Sequence, residues 1–326
     1  MSAAVGVGTS VTQGFGSQGA IESDDIQARF AYGRDGKPLR IATLLPNPDL
    51  TSRGVCVLLH GQTEFIEKYV EVMGELLSRG FIVATMDWRG QGGSARALAN
   101  PLKAYIADFQ QYDSDLQVFL DKAVRNLSDR PPVVLAHSMG AHIALRAMHD
   151  HPKQFRAAVL MAPMLRALTR GYNPRLARLM CSAQNFAGRG GDWVFGIGER
   201  DPLQMTFADQ LVTSDAQRFA RTQNILRQHP NLRLAGPTWG WLEAAYRSMD
   251  TVMSPGYAEA IATPTLVFGA GRDRIVDTIA TREFAARLPH GRYREFADAE
   301  HEILMENDSI RARFWEAFDE FVADYI

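Results

Sequence analysis

The chain has 326 residues, 46% of them hydrophobic and 22% charged, with a formal net charge of −2 at pH 7. That length suits one large α/β domain or a core domain carrying an insertion. The near-zero overall charge gives no electrostatic case for nucleic acid or an anionic membrane surface. Cys56 and Cys181 are the two cysteines. Two lone thiols make no disulfide framework, and without a CxxC or a Cys/His cluster at zinc spacing no metal is expected.

Residues 1–22 are rich in Gly, Ser and Thr and lack the basic start and apolar stretch of a signal peptide. They read as a flexible tail. No later apolar run is long enough to cross a bilayer, so a soluble, cytoplasmic protein is expected, and peripheral contact with a membrane surface is compatible with the same features.

In chain order, Ile26 to Tyr32 and Leu39 to Leu45 flank Gly33-Arg34-Asp35-Gly36, the signature of a hairpin. Gly54 to His60 is a continuous apolar run, as expected of a parallel strand covered on both faces. It enters Gly61-Gln62-Thr63-Glu64, and a helix follows from about Ile66 to Ser78, stopped by Gly80. Phe81 to Met86 is the next strand, ending in Asp87-Trp88-Arg89-Gly90-Gln91-Gly92-Gly93-Ser94. A helical pattern runs from about Tyr105 to Asn126, and Pro131-Pro132 precedes a β-branched strand at Val133. A helix to about Asp150 ends before Pro152, and Phe155 to Met161 is again strand-like. Strands alternating with helices predict a mostly parallel, twisted sheet with helices on both faces. The alternation lapses over residues 164–256, which read as a helical cap inserted into a core made of 23–163 and 257–326. It resumes with Thr263 to Gly269, a helix near Thr278 to Leu288, a strand at Arg292 to Phe296 and a terminal helix.

The densest motif is Ala136-His137-Ser138-Met139-Gly140. A strand enters it, a helix leaves it, and the small residues flanking Ser138 let strand and helix pass closely, as in a nucleophile elbow. A serine hydroxyl needs a base, commonly a histidine oriented by a carboxylate, and donors for the oxyanion. Asp273, in the Gly-rich loop after the Thr263–Gly269 strand, is the acid candidate; Asp277 competes but reads as a helix N-cap. His301, directly after the last strand, is the base candidate. The backbone N–H groups of Met139 and Gln62 are the oxyanion candidates, with His60 and Gly61 shaping that loop and the substrate site. Among the other histidines, His137 is expected beneath the elbow, His149 and His151 complement a helix C-terminus, and His142 and His229 stand in no motif. The Asp87–Ser94 loop lacks the endings of a P-loop or dinucleotide fingerprint and is expected to be a structural loop near the site mouth.

With these residues in place the chain resembles the serine-hydrolase branch of the α/β-hydrolase superfamily that holds monoacylglycerol lipases and bacterial lysophospholipases of the L2 type. The resemblance rests on His60-Gly61, Asp87 with Gly90-Gln91-Gly92-Gly93-Ser94, Ala136 to Gly140, Asp273 and His301, and spans roughly residues 25–326. Glu64 to Tyr69 and Gly236 to Trp241 look more like the lysophospholipase side. Ala136 departs from the usual glycine. The resemblance implies two-step acyl transfer without a cofactor, on a lipid ester carrying one acyl chain, with Trp193, Phe195, Phe207, Trp239, Trp241 and Met249 as candidates to line its site. A small-ester carboxylesterase, a thioesterase or a perhydrolase on the same scaffold, and a non-catalytic binding module, remain the alternatives.

Overall fold

The computed structural model describes residues 12–13, 22–169, 171–196 and 201–326. Three strands open it: β1 (Thr12–Gln13), β2 (Ala28–Tyr32) and β3 (Pro38–Leu45). Then come β4 (Val55–Leu59), α1 (Val70–Ser78), β5 (Ile82–Met86), β6 (Lys103–Ala104), α2 (Gln110–Phe119), β7 (Val133–His137), α3 (Ser138–Asp150) and β8 (Ala157–Met161). After β8 lie α4 (Pro174–Phe186), α5 (Ala216–Gln228), β9 (Gly236–Pro237) and α6 (Trp239–Met253). The chain closes with β10 (Thr265–Ala270), α7 (Thr278–Arg287), β11 (Gly291–Phe296) and α8 (Asp308–Val322).

Nine strands form one sheet in the order β1-β3-β5-β4-β7-β8-β10-β11, with β2 beside β3. The β2–β3 and β3–β5 pairs are antiparallel and the rest are parallel. The expected hairpin is present, with Gly36 at φ +75° in its turn, a conformation that costs glycine little. The expected tail needs one correction: the backbone of Thr12–Gln13 runs parallel to Leu44–Leu45. The rest of residues 1–21 lies outside the described residues.

The alternation of side chains along β4 explains its unbroken hydrophobicity. Val55, Val57 and Leu59 enter the core on one face with α2, α3 and α7, while Cys56 and Leu58 enter the core on the other face with α1 and α8. Phe81, Phe268, Phe314 and Phe318 pack ring to ring in that second core. Truncating any one of them to alanine costs about 3–5 kcal/mol.

The α2 pattern begins later than its hydrophobic period suggests, because Lys103–Ala104 is taken by pairing with β9 and the Asp108 carboxylate caps Gln110 N–H at 2.8 Å. The described residues of 164–256 give no strand to the main sheet. Their helices start on local signals: Asn173 caps α4 with Pro174 in its first turn, Asp215 caps α5, and Thr238 caps α6. The segment does not stand alone, however. Ala104 C=O accepts from both Thr238 N–H and Thr238 Oγ1, Leu102 C=O from Ala235 N–H, and Arg96 donates to the carbonyls of Asn231 and Arg233. Residues 96–104 therefore join the inserted helices, a long-range pairing that no local sequence pattern marks. Among the described residues no helix is long and apolar enough to cross a membrane.

Candidate active site

Ser138 is the first residue of α3, directly after β7, and takes φ +51°, a left-handed conformation costly for a residue with a Cβ. The turn is sharp because α3 starts against the end of β4: a Cβ on Gly140 would lie 2.5 Å from His60 O and 2.6 Å from Leu59 O. Only glycine fits there. Ala136 sits inside the sheet between Leu59 and Leu160, where its methyl is fully buried.

His301 Nε2 lies 3.0 Å from Ser138 Oγ, and His301 Nδ1 lies 2.7 Å from Asp273 Oδ2. The other carboxylate oxygen, Oδ1, accepts from Ile275 N–H at 2.8 Å and Val276 N–H at 2.9 Å. One oxygen is thus fixed by backbone and the other aimed at the imidazole. Burial opposes ionisation of Asp273, yet His301 and these two N–H groups hold its carboxyl below the ordinary value. Gly271 lets the two loops meet, since a Cβ there would lie 2.6 Å from Ala297 Cα. Asp277 is elsewhere, capping α7 through Ile279 and Ala280 N–H and pairing with Arg166.

The Met139 N–H lies in the first turn of α3, where amides have no intrahelical partner. Gln62 follows Gly61 in the loop after β4, and the next residue, Thr63, is held at φ +63°. A Cβ on Gly61 would stand 3.1 Å from Ser138 Cβ, so this loop runs against the elbow. Both side-chain amide atoms of Gln62 are shielded from solvent and unpaired among the described residues.

The Asp87–Ser94 loop lies beneath the site and not at its mouth. Asp87 is wholly buried, pairs with Arg40 at 2.8 Å and accepts from Ile66 and Gly93 N–H. Gln91 accepts from Thr63 N–H at 2.7 Å and donates to Met139 Sδ, bracing both loops that carry the oxyanion candidates. His60 also faces inward: its ring is 1% exposed, Nδ1 meets Gly61 O at 2.8 Å and Nε2 lies 3.4 Å from Asp87 Oδ1. The expectation of a substrate contact from the His60 ring is corrected to a bracing one, because both ring nitrogens face protein atoms.

The apolar candidates divide. Trp239, Trp241 and Met249 are buried on α6 in the same core as Met139, with Trp241 Nε1 donating to Tyr112 OH at 3.2 Å. Phe195 is largely exposed and meets Trp239 edge-on, Phe207 leans on Phe219, and Trp193 lies beneath Lys103 Nζ. They do not form one continuous wall. His142 is buried against Ser248 of α6 at 2.6 Å, and burial pushes it down to about 3, so the ring is neutral.

Sequence reasoning missed a buried ionic cluster. Glu64, Lys68, His137 and Glu302 lie together beneath the elbow: Lys68 Nζ bridges Glu64 (2.8 Å) and Glu302 (2.5 Å), and His137 Nδ1 meets Glu64 at 3.0 Å. The available signal was the Glu64-to-Lys68 spacing of four beside an apolar strand, with Glu302 adjoining His301.

The sequence model of the serine aminopeptidase S33 family matches residues 51–308. Lysophospholipase L2 of Escherichia coli K12 is 30% identical over 296 residues, 89% of this chain and 82% of that protein. A monoacylglycerol lipase of Mycolicibacterium smegmatis is 26% identical over 279 residues, 82% of this chain and 91% of that protein. Among solved structures, a soluble variant of monoglyceride lipase from Saccharomyces cerevisiae superposes with a TM-score of 0.72 at 17% identity, covering 92% of this chain and 97% of that one. The same doubly covered parallel sheet thus recurs where little sequence is shared. With the family match spanning most of its length, the chain belongs to the serine aminopeptidase S33 family of α/β-hydrolases and is a hydrolase.

Proposed function

We propose that the chain hydrolyses carboxylic esters of lipids carrying a single acyl chain, lysophospholipids or monoacylglycerols, through an acyl-enzyme on Ser138. The observation that carries this is the Asp273–His301–Ser138 line of hydrogen bonds, 2.7 and 3.0 Å long, ending on a serine in a left-handed turn. Ser138 Oγ attacks the ester carbonyl as its proton passes to His301 Nε2. Asp273, held ionised, stabilises the imidazolium, and the Gln62 and Met139 N–H groups receive the developing oxyanion. Collapse of the tetrahedral adduct breaks the bond to the alcohol, which leaves with the proton from His301. Water, deprotonated by His301, then attacks the acyl group and returns Ser138.

The lipid nature of the substrate is supported by the names of the relatives and by the residues over the site. Ser138 is 6% exposed and His301 4% exposed, so a substrate has to enter beneath residues 164–256, which act as the lid. Trp193, Trp239, Trp241 and Met249 contribute its apolar underside, with Phe195 and Phe207 at the rim. The outer face of α4 suits an anionic lipid surface. Leu176, Leu179 and Phe186 are exposed and, at helical spacing, fall on one stripe, with exposed Tyr172 in the turn before the helix. Arg175, Arg178 and Arg189 lie on or just after this helix; Arg178 pairs with Asp250 and Arg189 with Asp192, which of the three leaves Arg175 as the cation offered to a headgroup. That local basic charge is invisible in the chain's total.

Labelling with a fluorophosphonate probe tests the chemistry: wild-type protein becomes labelled at Ser138, and Ser138→Ala loses both labelling and ester hydrolysis while melting within a few degrees of wild type. Retained hydrolysis in that variant rules out the acyl-enzyme. Lysophospholipid, monoacylglycerol and p-nitrophenyl acetate compared side by side test the substrate class, and a preference for acetate counts against a lipid ester.

A further inference from the structure

We propose that Glu64 is a positioning residue that holds His137 as a lasting imidazolium beneath Ser138, and that this buried charge pair fixes the oxyanion loop, the nucleophile and the His301 loop as one unit. The role presupposes the Ser138–His301–Asp273 reaction, but the charge state does not.

The protonation of His137 follows from its two partners. Nδ1 lies 3.0 Å from Glu64 Oε2, and Nε2 lies 3.2 Å from the backbone carbonyl of His301. A carbonyl oxygen and an ionised carboxylate only accept, so each ring nitrogen has to carry a hydrogen, and an imidazole with both is a cation. Glu64 is ionised because donors surround it. Its carboxylate receives the Gly61 N–H, Tyr69 OH at 2.9 Å, Lys68 Nζ at 2.8 Å and His137. The groups facing His137 from every side are then Glu64, Lys68 and Tyr69 from the segment after β4, Glu302 and the His301 ring from the loop after β11, and Ser138 from its own turn. Glu64 and Glu302 balance Lys68 and His137 charge for charge. Burial works against each charge; even so Lys68 and His137 keep Glu64 well below the carboxylate range, and Glu64 keeps His137 above the ordinary imidazole value.

Such a cluster is a poor way to gain stability, since buried ion pairs are often matched by well-packed apolar residues. Its placement gives it a use. The Gly61 amide is taken by Glu64, so the following amide, Gln62 N–H, is presented to the site. A Cβ on Gly61 would sit 2.7 Å from Glu64 Oε2, 3.0 Å from His137 Nδ1 and 3.1 Å from Ser138 Cβ, so cluster, oxyanion loop and nucleophile are in contact. The His137 ring grips the backbone of His301 with the two rings 4.7 Å apart, and Lys68 holds the adjacent Glu302. Glu302 N–H donates to Val212 C=O at 2.8 Å, which carries the linkage to the inserted segment. Nucleophile, base and oxyanion donor come from three separate loops, and each is tied to this cluster.

Two measurements test it. In wild-type protein with ¹⁵N-labelled histidine, NMR should show both His137 ring nitrogens protonated at pH 7, where an ordinary imidazole is mostly neutral, the signal being assigned by its loss in His137→Gln. An unprotonated ring nitrogen on His137 at pH 7 overturns the proposal, whatever the variants do. In Glu64→Gln, which keeps the shape but not the charge, His137 should become neutral. There kcat and the rate of fluorophosphonate labelling should fall together by about ten- to a hundredfold, with KM within about twofold, as for a small misplacement of reacting groups. A lower Tm with kcat unchanged well below that Tm would make Glu64 merely structural and refute the positioning role. Failure of the acyl-enzyme itself is separate: wild-type protein would then not label, while the His137 doublet of protonated nitrogens would persist.

Discussion

Gly140→Ala separates local propensity from tertiary contact at the site. Gly140 is in the first turn of α3 with no positive φ, so local reasoning says alanine should stabilise the helix by about 0.8–1 kcal/mol. Tertiary contact says the opposite. The new methyl would lie 2.5 Å from His60 O and 2.6 Å from Leu59 O, and both are backbone atoms with no rotamer to give way. Relief requires β4 and α3 to part by at least about 0.5 Å, because real β-carbons keep about 3.0 Å from such atoms. Overpacking of this kind costs about 1–3 kcal/mol, so the net effect on stability is about 0–2 kcal/mol. At about 2.1 cal/mol/K per residue the unfolding entropy of this chain is about 0.7 kcal/mol/K, and Tm should fall by less than about 3 °C. Activity should suffer more. The shift falls two residues before Gln62, at the loop that carries a proposed oxyanion amide, and a 1 Å misplacement costs about a hundredfold. We expect kcat to drop about ten- to a hundredfold, or roughly 1.4–2.7 kcal/mol of barrier. Calorimetry and steady-state hydrolysis of a p-nitrophenyl ester measure both. A raised Tm with kcat within about threefold of wild type would refute the steric reasoning, because it would mean the strand end yields freely.

Two other predictions concern the inserted segment. Burial disfavours the Glu71 charge, but Arg218 of α5 and Arg311 hold its carboxyl down to about 2 from an ordinary 4.5. A depressed folded-state value contributes stability that is complete above about pH 4.5 and is lost as the pH falls toward 2. The Tm difference between wild type and Glu71→Gln should therefore shrink across that window, and an equal difference at pH 3 and pH 7 would disprove the linkage. For α4, Leu179→Glu combined with Phe186→Glu should abolish co-sedimentation with anionic vesicles while hydrolysis of a water-soluble ester stays intact; equal binding of wild type to zwitterionic vesicles would remove the electrostatic part of the docking.

Much of the architecture was legible because its signals are local. The unbroken apolar run of β4, the Gly33–Gly36 turn and the Pro152 stop each express backbone constraints acting over a few residues. Asp277 was separable from Asp273 for the same reason, since an N-cap shows itself in the residues that follow it. The inward turn of His60 and the burial of Asp87 were not legible. Their partners, Asp87 for one and Arg40 for the other, lie 27 and 47 residues away in sequence, and no periodicity carries such pairings.

By itself the sequence determined the order of the core strands from β2 onward and put serine, acid and histidine on three loops in succession, because strand ends and glycine turns are written in short stretches. Only the tertiary structure brought His301 Nε2 to 3.0 Å from Ser138 Oγ and turned Asp273 Oδ2 toward Nδ1. It alone bound residues 96–104 to the inserted helices and gathered Glu64, Lys68, His137 and Glu302 under the elbow. Opposite charges far apart in sequence have no local signature; they are forced to pair when the sheet buries them together, since an unpaired charge there would cost far more than the pairing.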